Sequence, residues 1–156
     1  MSANAKKTMV IVSLLILIPA VFSAANGNRS VGDGSFNSLL DRKWYLTEVK
    51  KDSGVISIGR TELSKEIYTI TFQANRIVGS GANNTYFAPY TAGANQELSI
   101  GMLASSRVAP LFEMKDFTEY EYFRLIGKVN RWNYHNEKLE LYATDQNGDE
   151  VVLIFS

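Results

Sequence analysis

The chain has 156 residues, 46% of them hydrophobic and 21% charged, with 16 basic residues balanced by 16 acidic ones and no cysteine. That length makes one ordinary domain, able to bury about two thirds of its unfolded surface without covalent staples. The charge balance leaves no basic field for nucleic acid or an anionic membrane surface, and the lack of cysteine excludes disulfides.

Lys6 and Lys7 precede a nearly unbroken apolar run from Met9 to Phe22, interrupted by Pro19 and followed by the small residues Ser23, Ala24 and Ala25. This order of basic, apolar and small segments predicts a secretory signal peptide over residues 1–25, cleaved after Ala25, with Ser23 as the near alternative. A membrane anchor needs about 20 apolar residues, longer than this run. A lipoprotein needs a cysteine at the cleavage point. The expectation is a soluble exported protein, periplasmic or secreted, with no stable membrane span after cleavage. Its remaining 131 residues carry 14 basic and 16 acidic side chains once Lys6 and Lys7 are gone.

Asn26 to Ser38 is rich in Gly, Ser and Asn, so residues 26–39 read as a flexible spacer ahead of one domain over residues 40–156. Lys43 to Val49 alternates large apolar and polar positions and predicts a first strand. A turn at Lys51–Gly54 leads to a short strand from Val55 to Ile58. Gly59 to Glu66 is polar and reads as a surface loop. Tyr68, Ile70 and Phe72 alternate with threonines in a half-buried strand pattern. Arg76 to Gly81 continues the sheet, with Gly79 and Gly81 marking a bend or close backbone approach.

Thr85 to Thr91 is aromatic, and Pro89 assigns it to an edge or an irregular crossing. Glu97 to Leu103 reads as another strand. At Asp116-Phe117-Thr118-Glu119 the period changes to that of a helix, with Asp116 as N-cap and Glu119 as its capping-box partner. Tyr120, Phe123 and Gly127 share one face, with Tyr122 and Ile126 beside it, and Gly127 reads as the residue just past the helix end. Three strands follow, Asn130 to Tyr134, Lys138 to Ala143 and Val151 to Phe155. Asn147-Gly148 turns the last hairpin. The fold class is mainly β (α+β): a single antiparallel domain of seven or eight short strands with one helix.

Catalytic constellations are poor. His135, the one histidine, lies between two predicted strands and reads as a solvated turn residue. A zinc site would need several carboxylates. Ser105 or Ser106 could serve a Ser-His-Asp arrangement, but no G-x-S-x-G elbow occurs. Asp116, Glu119 and Glu121 form a carboxylate cluster whose plain reading is a solvated helix N-terminus. No cofactor, metal or enzymatic activity is expected.

The order of these elements resembles the META domain, the HslJ-like family of small cell-envelope and heat-shock-associated proteins. Trp44 and Leu46 match its opening W-x-L strand, and Phe72 the close of the next. Gly79 to Tyr90 matches its glycine turn, with Asn83 or Asn84 as the family asparagine and Tyr90 as its tyrosine. Ser106-Arg107 matches a Thr-Arg or Thr-Lys step, Glu119 to Val129 the helix, and Leu139 to Phe155 the final hairpin. Many members carry cysteines near the positions of Ala82 and Pro110, where this chain has none. The resemblance implies a compact, partly open β-barrel with the helix packed on or into its mouth, and no established reaction. It also implies a non-enzymatic envelope accessory or stress-response module.

Such a module would bind a protein partner, through an apolar patch or sheet edge beside Pro89. The alternative is a carrier or chaperone for a small apolar ligand or lipid held under the helix. The candidate ligand or partner surface is Tyr86, Phe87 and Tyr90 with Asn83, Asn84 and Arg107. For any one of these aromatics, filling the barrel interior is the favoured reading over a place on that surface. The chain is expected to be a monomer.

Overall fold

The structure, a computed structural model, describes residues 35–59, 67–109, 111 and 114–156. The expected leader, the spacer as far as Gly34 and residues 60–66 lie outside the described residues. Among the described residues ten strands form: β1 (Lys43–Lys51), β2 (Gly54–Ser57), β3 (Thr69–Phe72), β4 (Arg76–Ser80), β5 (Thr85–Ala92), β6 (Leu98–Ile100), β7 (Ala104–Ser105), β8 (Val129–His135), β9 (Lys138–Thr144) and β10 (Glu150–Phe155). One α-helix, α1 (Glu119–Ile126), joins β7 to β8.

Eight strands pair in the order β6-β5-β4-β3-β1-β10-β9-β8, and every ladder between them is antiparallel. A single bridge, Glu97 to Arg131, links the two ends of that path. The result is a nearly closed eight-strand barrel with one helix, as the sequence led one to expect. The two remaining strands are short. β2 pairs only with the far half of β1, and β7 only with the near half of β5.

Side-chain alternation explains what is inside. In β1, Trp44 and Leu46 point inward, then a bulge between Leu46 and Glu48 slips the pattern so that Val49 is buried instead of Glu48. In β9 and β10, Leu139, Leu141 and Ala143 meet Phe155, Leu153 and Val151 across a regular ladder. The β8–β9 turn has positive φ at both Asn136 and Glu137 (49° and 60°), the mirror-image geometry that suits the twist of a hairpin. In the β9–β10 turn only Gly148 has positive φ (91°). There the Asp145 carboxylate accepts the Asn147 and Asp149 N–H groups instead.

Both ends of the barrel are plugged. At one end residues Phe36–Leu39 form a 3₁₀ turn, so the expected spacer does not extend to residue 39. Leu39 is fully buried, its carbonyl accepts the Trp44 indole N–H (3.3 Å), and Phe36 packs its ring 5.2 Å from Phe72 and 5.3 Å from Trp132. At the other end α1 lays Tyr122, Leu125 and Ile126 onto the core.

That helix differs from the sequence expectation in three ways. Its N-cap is Thr118, whose hydroxyl accepts the Glu121 N–H (3.2 Å), not Asp116, because Phe117 is pulled fully into the core just ahead of it. The buried face turns accordingly: Tyr120 is 78% exposed, and Tyr122 takes the inward position. Gly127 caps the helix in right-handed conformation (φ −69°), so no left-handed residue follows it there.

β5 is also a correction. Pro89 sits within an eight-residue strand that has neighbours on both sides. Its carbonyl accepts the Gly101 N–H (2.8 Å), so its missing N–H faces the same side, into the interval between β6 and β7. No ladder bond is lost there. A side chain at Gly101 would begin 2.9 Å from the proline ring, which explains the glycine.

Candidate functional site

The structure divides the segment from Ser80 to Thr91 into parts with different tasks. Tyr86 is 3% exposed and lies beneath α1, not on a surface. It crosses directly onto Gly79, where an added Cβ would collide with the Thr69 carbonyl and lie 2.7 Å from the Tyr86 ring. The Tyr86 and Tyr122 phenol oxygens are 3.0 Å apart, and 2.9 and 3.0 Å from the Thr69 carbonyl oxygen, so their two protons serve that carbonyl and each other.

The Tyr68 ring packs 4.9 Å from that of Tyr122, tilted by 54°, and its hydroxyl donates to the Phe117 carbonyl (2.9 Å). Its φ of 55° is rare for a bulky residue and is held by these contacts. Burial pushes the Tyr86 and Tyr122 phenols above the usual tyrosine range; the hydrogen bond from Tyr122 partly offsets this for Tyr86, while the nearby Tyr86 adds to it for Tyr122. The space under the helix is thus filled with hydrogen-bonded rings.

Asn83 and Asn84 form a fastening. Glu119, the first residue of α1, turns its carboxylate to this loop and accepts Asn83 N–H (2.7 Å), Asn84 N–H (2.8 Å) and the Asn84 side-chain amide (2.7 Å). Gly81 leaves the room: a Cβ there would lie 2.7 Å from Glu119 Cγ. Asn84 Oδ1 in turn accepts Ser106 Oγ (3.0 Å) and Val108 N–H (2.7 Å), and Asn83 Oδ1 accepts Leu111 N–H (2.8 Å). Charge-assisted bonds of this kind are about twice as strong as neutral ones. The two asparagine side-chain carbonyls join this loop to Ser106, Val108 and Leu111. Asn84 is therefore a buried structural residue rather than a surface one.

Tyr90 is half-buried, donates to the Gln73 carbonyl (2.8 Å), and packs 5.4 Å from Phe72. Arg107 is exposed in the loop after β7. Phe87 alone of the three aromatics leaves its ring in solvent, 53% exposed. It stands on the outer face of the sheet in one register row, Lys43–Thr71–Val78–Phe87–Ala104. Here the sheet forms an open groove of about 460 Å³, lined among others by Lys43, Thr71, Arg76, Val78, Ser80 and Phe87. Met102, 91% exposed, follows Gly101, whose backbone adjoins the Pro89 ring.

The catalytic candidates are dispersed. Ser106 Oγ is used by Asn84 and Thr85. Glu119 holds the loop, Glu121 pairs with Lys51 at 2.6 Å, and Asp116 is exposed. His135 ends β8, half-buried rather than in the turn itself. Among the described residues no group of three His, Asp or Glu side chains is placed to hold a metal.

Comparison with known proteins agrees with the architecture. The META domain family model matches residues 37–155. No curated protein matches the chain. Among solved structures, the chain is similar to a protein from Burkholderia xenovorans determined by NMR (20% identity, TM-score 0.56, covering 77% of this chain and 85% of that one). It is also similar to a DUF4847 family protein from Bacteroides vulgatus (13% identity, TM-score 0.52, covering 79% and 96%). At these identities the likeness is one of fold.

Proposed function

Because the chain belongs to the META domain family, we propose that it is a non-enzymatic accessory module of the cell envelope that binds a protein partner through the outer face around Phe87. The observation that carries this reading is the contrast within β5. Tyr86 and Tyr90 have hydrogen-bonded places in or against the core, whereas Phe87 stays 53% exposed at the edge of the groove. An aromatic ring kept in water beside a groove is a normal anchor for an interface. The basic, apolar and small segments of residues 1–25 favour export to the periplasm or the exterior, where envelope stress would engage the module as a monomer. The carrier reading has less to support it, since the space beneath α1 is occupied by Tyr68, Tyr86 and Tyr122.

The test is site-directed photocrosslinking in the exporting cell, with the probe at Phe87 and, as control, at Tyr120, which is also exposed but lies on the helix. One envelope protein captured from position 87 and not from position 120 is the expected result. Equal recovery from both positions, or from neither, ends the reading.

A further inference from the structure

We infer that Asn147 is a site of spontaneous covalent modification, where attack by the Gly148 backbone nitrogen forms a cyclic imide and leaves an aspartyl or isoaspartyl link that loosens the start of β10. The inference stands apart from the partner-binding reading and concerns the β9–β10 turn. Of the exposed asparagines among the described residues, Asn147 alone precedes a glycine. With no Cβ on residue 148, the approach of its nitrogen to the Asn147 side chain is unhindered. Among the described residues, a Cβ built at Gly148 would meet no atom within 4 Å, so the fold adds no obstacle there. The bonds that hold the two reacting amides are long. Asn147 Nδ2 lies 3.4 Å from Asp145 Oδ2, and Gly148 N lies 3.3 Å from the Asp145 carbonyl oxygen. By contrast, the side chains of Asn84 and Asn133 are buried and bonded to Glu119 and Glu140.

Water is the sole co-reactant, and nothing is oxidised or reduced. The Gly148 nitrogen bonds to Asn147 Cγ, the Cγ–Nδ2 bond breaks, and the Gly148 amide proton leaves with the departing nitrogen as ammonia. Water then opens the imide at either carbonyl. One opening restores the normal chain with aspartate at position 147; the other routes the main chain through the side chain. Either product exchanges the side-chain amide, a donor to Asp145, for a carboxylate among Asp145, Asp149 and Glu150. Like charges so placed repel. The isoaspartyl link also adds a methylene to the backbone between the Asn147 and Gly148 N–H groups, both of which bond to Asp145. Asp145 then no longer holds the turn in shape, and the pairing of Glu150 with Thr144 that starts β10 loses its support.

The test is to age the purified chain in mildly alkaline buffer, then map its peptides by mass spectrometry and compare hydrogen exchange in aged and fresh protein. Asn147 should convert at least about tenfold faster than Asn130 and Asn136, which are also exposed but precede residues that carry side chains. The Val151 and Val152 amides should exchange faster in the aged protein, while those of β3 and β4 stay unchanged. Asn147→Ser keeps a small polar side chain but cannot form the imide. That variant should start with the same thermal midpoint and show no change at Val151 and Val152 with age. No conversion at Asn147, equal conversion at the three asparagines, exchange that does not change with age, or an Asn147→Ser chain that loosens as fast as the unaltered one would each overturn the inference.

Discussion

Two adjacent residues, Tyr86 and Phe87, show how one step along a strand separates a core side chain from an exposed one. Tyr86 faces inward against Gly79 and Tyr122, and Phe87 faces out. Tyr86→Ala should cost about 3–5 kcal/mol, the range for emptying a buried aromatic site. Phe87→Ala should stay within about 0.5 kcal/mol, as exposed positions do. Urea unfolding of the two variants checks both, and similar losses would mean that Phe87 is part of the core. Alkaline titration gives a second test. The Tyr86 and Tyr122 pKa values are raised in the fold, first by burial. Their contribution is therefore complete below the unfolded tyrosine value of about 10 and lost as pH rises above it. Thermal melts should fall steeply above about pH 10, and less steeply for Tyr122→Phe, which removes one of the two groups.

At the scale of elements, the clasp between Glu119 and the Asn83–Asn84 loop holds α1 over the barrel mouth. Glu119→Ala leaves three donors without their acceptor and should destabilise by about 2–3 kcal/mol. Hydrogen exchange at the Asn83 and Asn84 amides should speed up more than in the β9–β10 ladder. Uniform acceleration across both would mean that the carboxylate does not act locally.

Most strands could be read from residues alone, because period-two alternation in β1, β3, β9 and β10 reports directly which side faces the core. What could not be read depended on partners distant in sequence. Pro89 argues against a central strand until Gly101 is known to lie opposite it. Asp116 and Thr118 are equally good caps in sequence, and only the burial of Phe117 decides between them. The site was half legible. An aromatic cluster with two asparagines was visible, but nothing local distinguished Phe87 from Tyr86 until register assigned their faces.

At the scale of the molecule, the barrel is unevenly tied. β1, β10 and β9 share long ladders, whereas β6 has three residues and reaches β8 through one bridge. The β6–β8 seam should therefore be where amides exchange first by local opening. Measured protection highest at the seam would contradict this. Removing residues 150–156 takes away the strand between β1 and β9, and the domain should then fail to give a cooperative unfolding transition.

The pairing of β1 with β10, extended by the reciprocal backbone bonds of Tyr45 and Ser156 (3.1 and 3.0 Å), places the first strand of the domain beside its last. A polypeptide emerging from the ribosome can then collapse locally but cannot complete its central ladder until the tenth strand is out. Nascent chains stalled before residue 150 should remain open to protease, and those in which β10 has emerged should become resistant. The topology itself acts as a delay, keeping the chain loose until its tenth strand has been made.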